Sequence, residues 1–169
     1  MKLPYEELVS PEFGAKVRKI ASLLSIRPEW LMVVMAIETG KKFKAKVKNP
    51  YTGAVGLIQF MPTTAVGLDT TIQELETMTE VQQLDYVYKH LKIYRSKMSH
   101  FEDVYLAVFY PAAVGKPDEY KFGTTPEMRK KIAMQNPAYD LNKDMVVTKA
   151  EVREAIEKFI PKGYEEAFR

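Results

Sequence analysis

Glu38 is the one acidic residue in the middle of this sequence: an apolar segment from Trp30 to Ile37 precedes it, and the next acid downstream is Asp69. A carboxyl group set among apolar neighbours such as Met35, Leu57 and Phe60 loses hydration, which disfavours its ionised form. The segment reads as a helix that ends at Thr39-Gly40. Glu38 then falls in the last turn, at the negative end of the helix dipole, where ionisation is disfavoured again. A carboxylic acid that keeps its proton near neutral pH can donate it to a glycosidic oxygen. The same placement also suits an ordinary surface glutamate at a fraying helix end, and composition alone does not separate the two.

A second set of oxygen-bearing residues lies near the C-terminus. Asp140, Asn142, Asp144 and Glu151 occupy positions one, three, five and twelve of a twelve-residue stretch, with Val146 at seven and the β-branched Val147 at eight. This resembles an EF-hand loop, in which side-chain oxygens and one backbone carbonyl, here that of Val146, hold a structural Ca²⁺. Position six, normally glycine, is Met145; a side chain held there at positive φ costs roughly 1 kcal/mol. A purely structural reading is also sufficient, because Thr148 and Glu151 have the spacing of a capping box for a helix from Lys149 to Phe159. The two histidines, His90 and His100, have no ligand spacing and suit structural or surface roles. No cofactor is expected in catalysis.

The elements that must position these groups are legible from their punctuation. Ser10-Pro11 starts a helix whose apolar residues run from Phe13 to Leu24. Arg27-Pro28 starts the helix that carries Glu38, and Gly40 suits its left-handed end. Asn49-Pro50 and Thr52-Gly53 are turn signals, which fold 41–61 into a loop or short hairpin returning Gly56–Gln59 towards Glu38. Its glycines would let backbone approach a sugar closely, and Gln59 offers a donor and an acceptor. Short helices follow at 62–67 and 71–77. Thr79 caps a long helix expected over 80–98, and an apolar helix from Phe101 meets Pro111, which bends or stops it. Thr125-Pro126 opens another. Met1–Ser10 reads as an arm, and 164–169 as one last turn. Lys41, Lys42, Lys44, Lys46 and Lys48 suit either a solvated face or attraction to anionic glycans.

Three motifs resemble those of the lytic transglycosylases of the goose-type-lysozyme-like (SLT) family, which cleave peptidoglycan. Glu38-Thr39 resembles the family's Glu-Ser/Thr motif. The string from Gly53 to Ala65, GAVGLIQFMPTTA, is similar to the longer family string, with Ile58 in place of the usual Met. Tyr110 falls on the family's Ala-x-Tyr-Asn-Ala-Gly motif, but Pro111 replaces Asn and Ala113 replaces Gly. The long string together with Tyr110-Pro111-Ala112-Ala113 also resembles a phage-associated branch, the setting of endolysins.

The resemblance implies an all-α, lysozyme-like domain with a substrate groove. Residues 10–118 would form the catalytic core, and 119–169 a helical extension around the EF-hand-like loop 140–151, within one domain. It further implies cleavage of the MurNAc-β-1,4-GlcNAc bond with a 1,6-anhydroMurNAc product, Glu38 acting first as acid and then as base. Thr39, Gly56, Leu57, Gln59, Phe60 and Tyr110 would bind substrate. A hydrolytic lysozyme and a non-catalytic wall-binding or virion structural protein are the alternatives.

Composition sets the outer bounds. The chain of 169 residues is long enough for one real core. With no cysteine, disulfides, thiolate metal sites and thiol catalysis are excluded. A net charge of +3 is too mild to argue for nucleic acid, though it suits an anionic wall. No segment is apolar and long enough for membrane insertion. Pro4, Glu6 and Glu7 interrupt the apolar run that a Sec signal needs. The expected partner is the peptidoglycan strand. The expected setting is the bacterial cell wall (periplasmic or extracellular), reached by phage or virion delivery or another export route, with the protein acting as a monomer.

Overall fold

The computed structural model describes residues 1–169. The chain is all-helical: α1 (Pro11–Leu24), α2 (Pro28–Thr39), α3 (Pro62–Gly67), α4 (Ile72–Thr77), α5 (Glu80–Leu91), α6 (Phe101–Phe109), α7 (Pro126–Gln135) and α8 (Lys149–Glu157), with four short 3₁₀ turns between and around them. Extended backbone is limited to three isolated bridges, Lys48 to Val55, Val55 to Phe60 and Lys121 to Thr148.

Helix α2 is the centre. Every residue from Glu29 to Ala36 is buried, the pattern of a helix enclosed on all sides. Helix α1 packs on it and on α5, α6 packs on it from another side, and α8 packs on α6. One contiguous apolar core runs through the whole chain. Phe122, Ala133, Val147, Val152 and Ile156 belong to the same cluster as Leu31 and Leu84, so the C-terminal segment shares the core with the rest.

Local signals set the helix ends. The Ser10 hydroxyl accepts from the Phe13 N–H at the start of α1. Gly40 closes α2 at φ +57, a conformation that suits glycine. Thr79 with Gln82, and Thr148 with Glu151, form complete capping boxes for α5 and α8. Helix α6 stops at Phe109, one residue before Tyr110-Pro111, and the chain turns through a 3₁₀ turn, Pro111–Ala113, because proline lacks the N–H that a further turn requires.

Two segments differ from the sequence-based expectation. The helix expected over 80–98 is α-helical only to Leu91, then tightens into a 3₁₀ turn from Lys92 to Lys97. That turn fully buries no side chain; Tyr94 alone packs in part against the core, too little to hold the turn to the α-helical pitch. The expected N-terminal arm is instead fastened down. Leu3 is fully buried, the Tyr5 hydroxyl donates to the Phe159 carbonyl at 2.5 Å, and the Tyr164 hydroxyl donates to the Leu3 carbonyl at 3.1 Å. These partners lie more than 150 residues away in sequence, beyond the reach of a local pattern.

Candidate active site

Glu38 sits half-buried in the last turn of α2. Burial pushes its carboxyl up from the ordinary carboxylate range to about 7, and no charged neighbour contributes to that shift. A group in this state is divided between acid and base near neutral pH, which is the condition for giving up a proton and taking one back.

Other acids that could have folded against Glu38 are paired elsewhere. The Asp103 carboxylate is buried and takes the Lys149 ammonium at 2.6 Å. It also accepts N–H groups from Ser99, His100 and Gly115. Asp118 binds the Arg153 guanidinium at 2.6 Å, and Glu102 lies 3.7 Å from the same group. These pairs join α6 to α8 and hold Asp118 below its usual carboxylate range, chiefly through the hydrogen bond from Arg153.

Two tyrosines feel the charge of Glu38. Tyr105 on α6 and Tyr139 after α7 are hydrogen-bonded to one another through their hydroxyls. Burial raises both phenols, and the charge of Glu38 raises them further. Phe109 stacks on Tyr105 at 5.6 Å and meets Tyr139 edge-on at 5.1 Å. A phenol hydroxyl in this setting stays protonated. Sequence reasoning missed Tyr139: its partner is 34 residues away, and its only local signal is an aromatic residue directly before the acidic loop.

The glycine-punctuated loop has its own internal logic. Val55 and Phe60 exchange both backbone hydrogen bonds around a turn, and the Gly56 N–H donates to Val47. Gly56 has φ +87, and a Cβ there would lie 2.2 Å from Oε1 of Gln83. Glycine is needed at this position for the close approach of a core side chain, rather than of a sugar as expected. Gln83 is fully buried. Its Oε1 accepts from the Leu57 N–H at 2.7 Å, and its Nε2 donates to the carbonyls of Ala45 and Leu75.

The remaining residues expected to touch substrate fall into two groups. Thr39, Leu57 and Phe60 are buried; the Thr39 hydroxyl donates to Met35 and accepts from the Phe43 N–H, so their visible roles are structural. Gln59 and Tyr110 are half-buried. Gln59 takes φ +55, and its Nε2 donates to the carbonyls of Val47 and Gly56, which leaves its Oε1 open. Tyr110 stacks on Phe122 at 4.6 Å with the planes 21° apart. Neither is hydrogen-bonded to Glu38. A surface cleft of about 560 Å³ lies between α1 and α5, lined in part by Lys16, Leu23 and Tyr88, and holds none of these residues.

The loop 140–151 is ordered by its own hydrogen bonds. Asp140 accepts from the N–H groups of Asp144 and Met145, Asn142 from Asp144, and Asp144 from Val146. Glu151 accepts from Leu141, Asn142 and Thr148. Met145 adopts φ +65, the conformation an EF-hand loop requires of its sixth position. The donors are all hard oxygens, as Ca²⁺ prefers, but no three acidic side chains converge on one point. His90 has a structural part, its Nε2 lying 2.8 Å from the Ala107 carbonyl.

Set against protein-family models, curated proteins and solved structures, the chain matches none.

Proposed function

We propose that this chain is a lytic transglycosylase that cleaves the MurNAc-β-1,4-GlcNAc bond of peptidoglycan, with Glu38 as the single catalytic acid and base. The observation that carries the reading is the state of Glu38: unpaired, desolvated and raised to about 7, in a sequence context similar to the SLT motifs. In the first step the Glu38 carboxyl gives its proton to the glycosidic oxygen as the C1–O bond breaks. In the second, the Glu38 carboxylate takes the proton of the C6 hydroxyl as that oxygen bonds to C1. No water is consumed, and the carboxyl ends as it began. Glycosidases that use water, or that form a covalent intermediate, need a second carboxylate. The pairing of Glu102, Asp103 and Asp118 with Lys149 and Arg153 favours the single-acid scheme. The open Oε1 of Gln59 and the hydroxyl of Tyr110 would position the sugar. The substrate sets the place of action at the bacterial wall, reached by phage or virion delivery or another export route.

The test is mass spectrometry of fragments released from purified peptidoglycan. The expected products carry anhydro ends, one water lighter than reducing ends, and they disappear with Glu38→Gln. Reducing ends would identify a hydrolase. No release from several wall types would point to a wall-binding or virion structural protein.

For the loop 140–151, we propose a structural Ca²⁺ held by Asp140, Asn142, Asp144, Glu151 and the Val146 carbonyl, favoured by the positive φ of Met145. Binding that is confined to the native state raises the melting temperature by mass action. A melting temperature unchanged between millimolar Ca²⁺ and chelator would refute it.

A further inference from the structure

The end of α6 and the segment that leads to α7 build an aromatic surface that extends beyond the motif resemblance, which stops at Ala113. Its floor is Phe122, which is fully buried. The half-buried rings of Tyr110 and Tyr120 lie against that floor with centroids 4.6 and 6.0 Å away. Phe109 meets the same floor at 6.4 Å and continues to Tyr139 at 5.1 Å. The series therefore leads without a break from Tyr120 to the Tyr105–Tyr139 pair.

The backbone holds this surface in place. Phe122 donates its N–H to Val147, and Lys149 donates to Tyr120, so the loop 140–151 clamps the segment from behind. On the solvent side, the Lys116 ammonium stands 6.0 Å from the centre of the Tyr120 ring. Asp118, between them in sequence, is turned onto Arg153 and leaves Lys116 unneutralised.

We infer that Tyr120, resting on Phe122 beside Tyr110, forms a saccharide-stacking subsite, and that Lys116 meets a carboxylate on the glycan's substituents. The inference rests on the glycan-cleaving reading above. Its physical basis is general. The axial C–H face of a pyranose is apolar and fits a flat ring, while the ring hydroxyls stay in water; an aromatic residue with a polar tip suits such a boundary. Lys116, an exposed and flexible side chain whose ammonium lies over the Tyr120 ring, adds a point charge beside the sugar. Binding energy from this contact would act on KM before it acts on kcat.

The experiment compares wild type, Tyr120→Ala, Tyr120→Leu and Lys116→Met on peptide-bearing and peptide-free glycan strands. Tyr120→Leu keeps apolar volume over Phe122 and so covers the case in which the alanine variant fails to fold. The expected result is a KM raised about tenfold in both Tyr120 variants on both strands, the equivalent of one stacked contact, with kcat unchanged. Lys116→Met raises KM on peptide-bearing strands alone. An unchanged KM in Tyr120→Leu overturns the subsite, and an equal effect of Lys116→Met on both strands overturns the charge assignment. Calorimetric binding of peptide-free strands separates this inference from the one beneath it. If wild type binds but does not cleave, and Tyr120→Leu loses binding, the subsite stands and the catalytic reading falls. If wild type does not bind, the subsite falls.

Discussion

The end of α2 and the loop 140–151 both carry carboxylates, and they treat them in opposite ways. At Glu38 the carboxyl has no hydrogen bond or ion pair to hold its charge, and burial alone shifts it to about 7. In the loop, Asp140 and Glu151 have both oxygens engaged by N–H groups or a hydroxyl. Asp103 goes further, with three N–H groups and a buried ammonium. A carboxylate whose lone pairs are filled holds structure together. One left without partners keeps its proton chemistry available, at a cost in stability when it ionises. Lack of a partner is not by itself the mark of reactivity, since Oε2 of Glu29, buried at the other end of α2, also has none; Glu38 differs in being raised to about 7 by burial.

That contrast can be broken from either side. The largest expected effect comes from removing the partner of a satisfied acid. Lys149→Met leaves Asp103 buried without its cation, and should cost about 3–5 kcal/mol in denaturant unfolding; a loss below 1 kcal/mol would show that the N–H groups suffice. Next is Glu38→Gln. Between the ordinary carboxylate range and about 7, the native protein holds a proton that the unfolded chain has released. Stability therefore falls as pH rises through this window, and the whole penalty is present above about 7. The glutamine variant avoids it, and should match wild type near pH 4 yet exceed it by about 2–3 kcal/mol at pH 8. Parallel stability curves would mean that Glu38 ionises freely.

Asp140→Ala strips the Met145 N–H of its acceptor and leaves the Asp144 N–H with Asn142 alone, and should cost about 1–3 kcal/mol, read as a lower melting temperature with α1 to α6 intact by hydrogen exchange. The smallest effect sharpens the contrast by relaxing the loop. Met145→Gly removes the strain of a side chain at φ +65 and should raise stability by about 1 kcal/mol. A loss of stability there would show that the Met145 side chain packs more than its exposure suggests.

Much of the scaffold could be read in advance where the determinant is local. Ser10-Pro11, Pro28 with Gly40, Thr79 and Thr148 each act within one helical turn, and each helix begins or ends where those residues put it. The position of Glu38 in the final turn of α2 followed from the same reasoning, as did its shift. Residues whose roles depend on distant partners were not legible. Gly56 reads as room for a ligand until Gln83, 27 positions later, is seen to fill that room. Tyr139 has no meaning until α6 brings Tyr105 to it. Leu3 looks like part of a loose arm until Tyr164 bonds its carbonyl and Tyr5 beside it reaches Phe159. The helix from Glu80 looked longer because its apolar stripe includes Tyr94, but that residue lies in a turn with no fully buried side chain to keep it α-helical.

Gln83 has a consequence for the order in which the molecule comes together. Its amide binds Ala45, Leu57 and Leu75 at once, so three separate stretches wait on one side chain of α5. Loop closures of this kind are late events, because their entropy is lost before any contact compensates. Helix α5 should then be structured before the glycine loop settles against it. In the finished protein the Leu57 amide proton is sealed by the same contact. It should exchange with deuterium only when the whole core opens, at the rate of global unfolding, although it sits in the middle of a long connection without regular structure.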